Sequence, residues 1–185
     1  MTFLYHIIVN TPLGDIAVQG NKSCIQYLKF ADALPYNDSA CQEVSLSTEA
    51  DWAANCRLQL QQYFSPLGLR TEFDLPIDPV GTQFQKQVWQ ALCEIDHGDY
   101  ASYQEVALEI GHKNAVRAVA SAIARNPIWL IIPCHRIIGT DLALRGYAGG
   151  IEHKAHLLML EGLSLNCISG DQATEKTKLI IQRNI

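Results

Sequence analysis

"SYQEVALEIGHKNAVRAVASAIARNP", residues 102–127, decides the fold of the second half of the chain. Ser102 followed three residues later by Glu105 makes a capping box, ahead of Val106 and Ile110 at helical spacing. Gly111 breaks that pattern, and a second helix is expected over 113–125. Val116, Val119, Ala120 and Ile123 share one of its faces, and Ala118, Ser121, Ala122 and Arg125 share the next. Two short helices about a glycine turn predict a helix-turn-helix. The small face suits close approach to a nucleic-acid groove, with Arg117 projecting from it. Tight packing between helices, with Arg117 a solvated charge, is the alternative.

The same reading extends in both directions. Thr82 with Gln85 makes another capping box before Phe84, Val88, Leu92 and Ile95. "IEHKAHLLMLEG" (151–162) predicts a last helix, with Lys154, Leu157, Leu158 and Glu161 on one face and Gly162 at its end. Before residue 80 the character differs. "FLYHIIV", "DIAVQG" and "SCIQYLKF", separated by "NTPLG" and "GNK", predict a meander of short strands. Thr48 and Asp51 then resemble a helix cap, and Trp52, Cys56, Leu60 and Phe64 follow at helical spacing until Ser65 and Pro66. "RTEFDLPI" (70–77) reads as a closing strand and "DPVG" (78–81) as a linker. The expected class is α+β, a mixed α/β chain. A sheet-plus-helix domain spans 1–80 and a mostly helical domain 81–163, and the pattern assigns no role to an extension over 164–185.

A chain of 185 residues with 48% hydrophobic content is expected to build a real core. No run approaches the roughly twenty apolar residues of a membrane span, and the first residues lack the features of a secretory leader. The expectation is a cytoplasmic monomer, nuclear in a eukaryote, with no membrane contact. Cys24, Cys41, Cys56, Cys93, Cys134 and Cys167 are widely spaced with no C-x-x-C pair, which predicts free thiols and no metal site. A net charge of −5 argues against phosphate binding until its distribution is read. Residues 1–80 hold nine acidic and four basic side chains, whereas 103–136 hold two acidic residues against Lys113, Arg117, Arg125 and Arg136.

Chemistry concentrates in "IIPCHRII" (131–138), where Pro133, Cys134, His135 and Arg136 stand between pairs of isoleucines. A thiol reacts as its thiolate, and apolar neighbours oppose that charge unless a base or cation intervenes. His135 and Arg136 are the candidates. Adjacent side chains rarely face one another, so His135 would act through a bridging water or a special turn. A buried structural cysteine beside a satisfied histidine is the competing reading. Asn126, held extended by Pro127, links the second helix to the thiol within eight residues, or simply ends the helix. Glu161, among leucines at a helix end, suits a group that orients His135, although exposed glutamates at such positions are common. "GYAGG" (146–150) offers Tyr147 and Ala148 to a pocket or to a tight loop.

Together, "GTQFQKQVWQAL", "SYQEVA", "AVRAVASAIARNP", "PCHRII" and "GYAGGIEHKAHLLMLEG", in this order from Gly81 to Gly162, resemble the O6-alkylguanine-DNA alkyltransferase family. The first domain is similar to the family's RNase H-like unit, and the second resembles its winged-helix-like DNA-binding domain. The resemblance implies single-turnover repair of alkylated double-stranded DNA without a cofactor, possible also on O4-alkylthymine. Cys134 would accept the alkyl group, His135 would draw off the thiol proton through a water, and Glu161 would complete the relay. Asn126 would be the hinge. Arg117 would fill the gap left by the extruded nucleotide, Tyr103 would press on its phosphate, and Ala118, Ser121, Arg125 and Arg136 would touch DNA. Tyr147, Ala148, Lys154, Pro133 and Trp129 would line the pocket. The chain departs from the family pattern at Asp96, at Leu142 and in the extension.

Two further functions compete. A helix-turn-helix regulator with Cys134 as an alkylation or redox sensor would bind undamaged duplex by sequence. A cysteine hydrolase would turn over repeatedly. One arginine among alanines favours base extrusion over base reading, since a reader presents several polar side chains to the groove.

Overall fold

Alternating apolar residues near the N-terminus fold into an antiparallel meander in the computed structural model of the chain, which describes residues 5–33, 50–69, 71–168 and 178–181. Strands β1 (Tyr5–Thr11), β2 (Gly14–Gly20) and β3 (Ile25–Phe30) lie in that order. Tyr5 stands opposite Gly20, and Ile16 opposite Phe30. The first turn is tight because Thr11 Oγ1 donates to the Gly14 carbonyl at 2.6 Å while Gly14 takes a φ of 109°, which glycine adopts freely. β2 is central, so Ile16, Ala17 and Val18 are all fully buried. Helix α1 (Ala53–Tyr63) packs on β1 and buries Cys56 and Leu60, as the spacing predicts. Thr48 lies outside the described residues; Trp52 holds the N-cap position without a side-chain cap bond.

Of the strand expected over 70–77, the described residues 71–77 form one parallel bridge, Ile25 to Ile77. Pro76 has no N–H to donate, and the backbone of Asp74 is satisfied by a side chain instead. Buried Gln59 accepts from the Asp74 N–H at 2.9 Å and donates to its carbonyl at 2.8 Å. The amide thus replaces a strand neighbour. The rest of that β3 edge is taken by a distant piece of chain. Leu28 N–H donates to the Pro127 carbonyl at 2.9 Å, and Trp129 N–H donates to the Leu28 carbonyl at 2.7 Å. Asn126–Ile131 therefore belongs to the first unit with Met1–Thr82, although the whole helix-turn-helix precedes it in sequence.

Gln83–Arg125 and Ile132–Ile185 form the second unit. Helices α2 (Gln83–Cys93), α3 (Tyr103–Glu109) and α4 (Val116–Ala124) pack around Val88, Trp89, Leu92, Val106, Val119 and Ile123. Trp89 Nε1 donates to the Ala122 carbonyl at 2.9 Å. The Ser102–Glu105 capping box is complete, with arms of 3.1 and 2.7 Å. Gly111 turns the chain at a φ of 75°. α4 begins three residues later than the pattern predicts, because Ala115 N–H closes a turn on the His112 carbonyl at 2.7 Å.

The parallel pair β4 (Ala101–Ser102) and β5 (Ile137–Ile138) brings the start of α3 alongside the residues that follow Cys134. Helix α5 (Ile151–Leu160) ends at Gly162, where φ is 91°. The extension forms a hairpin, β6 (Leu165–Ile168) against β7 (Lys178–Ile181). Leu130 and Leu142 hold left-handed φ values of 68° and 60°, a conformation that costs a non-glycine residue about 1–2 kcal/mol. Among the described residues no helix is long and apolar enough to cross a membrane.

Candidate active site

Two tight turns lead into Cys134. Ile131 N–H donates to the Trp129 carbonyl at 2.8 Å around left-handed Leu130, the rarer and more strained of the two γ-turns. Cys134 N–H then donates to the Ile132 carbonyl at 2.8 Å around Pro133, at φ −81° and ψ 62°, the inverse γ-turn. Pro133 thus serves by fixing this turn, since its ring sets φ. Cys134–Arg136 follows as one 3₁₀ turn that buries all three side chains, with Cys134 only 5% exposed.

His135 and Glu161 are both buried, and His135 Nε2 lies 2.9 Å from Glu161 Oε1. Burial lowers the imidazole pKa and outweighs the upward pull of Glu161, so the ring is neutral. Burial alone would raise the Glu161 pKa. Its contacts with His135 and Arg136 overcome this and hold the carboxyl far below its usual range. A carboxylate can only accept, so Nε2 carries the ring proton and Nδ1 is the lone-pair nitrogen. That Nδ1 is buried and has no hydrogen-bond partner among the described residues.

Arg136 closes the far side of the carboxylate, with Nε donating to Oε2 at 2.9 Å and Nη2 to Oε1 at 2.8 Å. Its Nη1 donates to the Ile95 carbonyl at 2.5 Å. Lys154, fully buried on α5, donates from Nζ to the Ile137 carbonyl and, at 3.0 Å, to the Arg145 carbonyl. Burial lowers its pKa to about 8, against an upward pull from Cys134. Burial raises the pKa of Tyr103, and the nearby Cys134 adds to the rise. A cation and a phenol therefore share the neighbourhood of the thiol. An adjacent cavity of about 780 Å³ is lined by Ser102, Glu105, Ile138 and Leu142 and does not include Cys134.

Comparison with known proteins places this arrangement. Residues 83–163 match the DNA-binding domain of 6-O-methylguanine DNA methyltransferase, and residues 4–79 match its ribonuclease-like domain. The chain belongs to the O6-methylguanine DNA methyltransferase family. The methylated-DNA–protein-cysteine methyltransferase of Methanosarcina barkeri is 42% identical over 164 residues, covering 85% of this chain and 97% of that protein. The Haemophilus influenzae protein of the same name is 36% identical and covers 96% of this chain and 95% of its own length. Among solved structures, that of Mycobacterium tuberculosis OGT in complex with DNA has a TM-score of 0.72 at 37% identity, covering 85% of this chain and 92% of that one.

In this methyltransferase-family chain the surface residues expected to meet DNA lie mostly on α4. Arg117 and Ala118 are exposed, Ser121 is half-buried, and exposed Arg125 donates to the Ser121 carbonyl at 3.1 Å and to its hydroxyl. Tyr103 and Tyr147 are half-buried and Ala148 is exposed, all in the second unit. One residue sits elsewhere than expected. Arg136, expected on the DNA surface, is 7% exposed and bound to Glu161, because an arginine amid isoleucines must find a buried anion. Trp129 belongs to the first unit, where its ring centre lies 6.1 Å from that of Phe30. Asn126 is fully buried and its Oδ1 accepts from Ile128 N–H at 2.9 Å, fixing the chain as it leaves α4.

The sequence reading missed the partnership of Arg136 with Glu161. Both were legible as charges on apolar faces, and pairing them would have found it. The carbonyls of Ile137 and Arg145 that hold Lys154 leave no mark in a sequence.

Proposed function

We propose that this protein repairs DNA directly by moving an alkyl group from O6 of guanine onto Cys134. The observation that carries the reading is the buried row in which Cys134 precedes a neutral His135 whose Nε2–H is fixed on anionic Glu161. Such an imidazole can take the thiol proton at Nδ1, directly or through a water, and its positive charge is then met by the carboxylate. The sulfur attacks the alkyl carbon, an S–C bond forms as the C–O6 bond breaks, and the thiol proton ends on the released guanine. The thioether left behind has no proton to lose and no good leaving group, so each molecule acts once.

A stacked guanine cannot present O6 to a side chain 5% exposed, and the base must be turned out of the duplex. Exposed Arg117, rising from the small face of α4, supports a role in filling the space so vacated, with Arg125 and Ser121 on the backbone. Tyr103 and Tyr147 flank the base, and Asn126 holds the link between α4 and the reactive turn. Relatives named methylated-DNA–protein-cysteine methyltransferase support the activity. Among the described residues Cys24, Cys56, Cys93 and Cys134 form no disulfide, which fits the proposed cytoplasmic setting.

The test is mass spectrometry after mixing the protein with excess duplex bearing one O6-methylguanine. The expected result is one added methyl group per chain, confined to the peptide containing Cys134. Binding without a mass change would replace repair by lesion sensing, and repeated turnover would overturn the single-use thioether.

A further inference from the structure

The extension after α5 lies beyond the residues matched to the family's DNA-binding domain, which end at 163. The geometry points to a catalytic purpose for it: β7 straps the loop 139–145 in place, so that Leu142 and Ile181 act as positioning residues for the alkyl transfer at Cys134. This inference rests on the reading of Cys134 as the acceptor.

The loop leaves β5 directly after the reactive turn. Its ends are gathered around one buried ammonium, since Lys154 Nζ donates to the Ile137 carbonyl before the loop and to the Arg145 carbonyl at its close. Any shift of the loop moves the carbonyls that hold Lys154. Inside it the chain is folded tightly, with Gly139 N–H donating to the Ala143 carbonyl at 2.9 Å and Leu142 N–H to the Gly139 carbonyl at 2.9 Å. A Cβ at Gly139 would stand 2.4 Å from Asp141 Oδ1 and 2.8 Å from Arg145 Nε. This compact turn requires Leu142 at φ 60°, a conformation leucine does not choose unsupported.

The support comes from β7. Ile181 N–H donates to the Leu142 carbonyl at 3.2 Å. The Ile181 side chain, 2% exposed, completes a buried cluster with Ile138 and Leu158, against which Leu142 and Leu144 pack. Ile138 belongs to the strand that launches the loop and Leu158 to the helix that carries Lys154. One strand thus pins the loop at its strained residue and ties together the two elements that bring Lys154 to the thiol. β6 anchors the strap to the end of α5 through the pairing of Leu165 with Ile181.

The experiment compares single-turnover methyl transfer from O6-methylguanine duplex at saturating protein for the full chain, Ile181→Ala, Ile181→Asp and Ile181→Asp with Leu142→Gly. Duplex affinity is measured separately, and hydrogen exchange follows the amides of 139–145. Small displacements of catalytic groups are costly, so Ile181→Asp is expected to slow transfer at least about tenfold. Affinity is expected to hold within about twofold, because the residues proposed to meet DNA lie mostly on α4 and not on the strap. Adding Leu142→Gly is expected to recover most of the rate, since glycine needs no support at positive φ. A merely structural strap would lower the melting temperature without this rescue. Wild-type transfer rates in both Ile181 variants, with the loop amides deprotected, overturn the inference, and so does failure of Leu142→Gly to restore the rate. If Ile181→Asp does not fold, Ile181→Ala with and without Leu142→Gly carries the same comparison. A full-length chain that accepts no methyl group overturns the repair reading instead.

Discussion

Glu161 carries the most at the scale of single residues, because it answers His135 and Arg136 at once from a site 4% exposed. Glu161→Gln leaves a buried guanidinium without its anion, a change that costs about 3–5 kcal/mol, readable by denaturant unfolding. It also frees the imidazole from its fixed tautomer, and methyl transfer in a quench assay is expected to fall by roughly 10²–10⁴. The folded-state pKa of Glu161 lies well below the ordinary carboxylate value, so its contribution to stability is present above about pH 4.5 and is lost as the pH falls below that. The gap in stability between the native chain and Glu161→Gln should therefore narrow on acidification.

Lys154 titrates in a higher window, where burial disfavours its charged form. Its folded pKa of about 8 lies below the 10.5 of the free side chain, so between those values the folded state has released a proton that the unfolded chain keeps. Stability relative to Lys154→Met should accordingly rise with pH across that window, by up to about 3 kcal/mol at 1.36 kcal/mol per unit. A flat difference between the two melting curves across pH 8–10 would refute the lowered pKa of Lys154.

At the scale of elements, α3 owes its start to a reciprocal pair of bonds between Ser102 and Glu105. Ser102→Ala is expected to cost about 1 kcal/mol by denaturant unfolding, and Gln59→Leu, which strips the backbone of Asp74 of both partners, about 1–3 kcal/mol. The first of these devices was legible in the sequence because a capping box is local. The second was not, since a side chain fifteen residues away does the work of a strand. The same division holds along the chain. The meander, the core face of α1 and the order of α2 to α5 followed from periodicity. The late start of α4, the single bridge at Ile77 and the seat of Trp129 on β3 depended on backbone partners distant in sequence. In the site, Cys134, His135 and Glu161 were readable as unusual polar residues in apolar company. Arg136 was misplaced because a charge near a DNA-binding motif reads as a surface contact until its buried partner is known.

At the scale of the molecule, a net charge of −5 must be reconciled with binding to a polyanion. The exposed cations around α4 are few, namely Lys113, Arg117 and Arg125. If each met one phosphate, log affinity would fall with log salt with a slope of about −2 to −3. Arg117 is proposed to enter the base stack rather than to meet a phosphate. Arg117→Ala should therefore weaken binding to the damaged duplex while leaving that slope unchanged, as titrations at several salt concentrations would show. A slope shallower by about one would make Arg117 a phosphate contact.

The passage of Asn126–Ile131 onto the edge of β3 has a consequence for how such a protein can be divided. The joint near residue 80 is only one of three places where the chain passes between the two units. A fragment ending at Thr82 would lack the backbone partners that Pro127 and Trp129 supply to Leu28, leaving part of a hydrophobic sheet edge open to pairing with other chains. The N-terminal half is therefore no detachable cassette. Part of its sheet edge is completed only after the helix-turn-helix has been synthesised, and residues three to eight positions before Cys134 complete it.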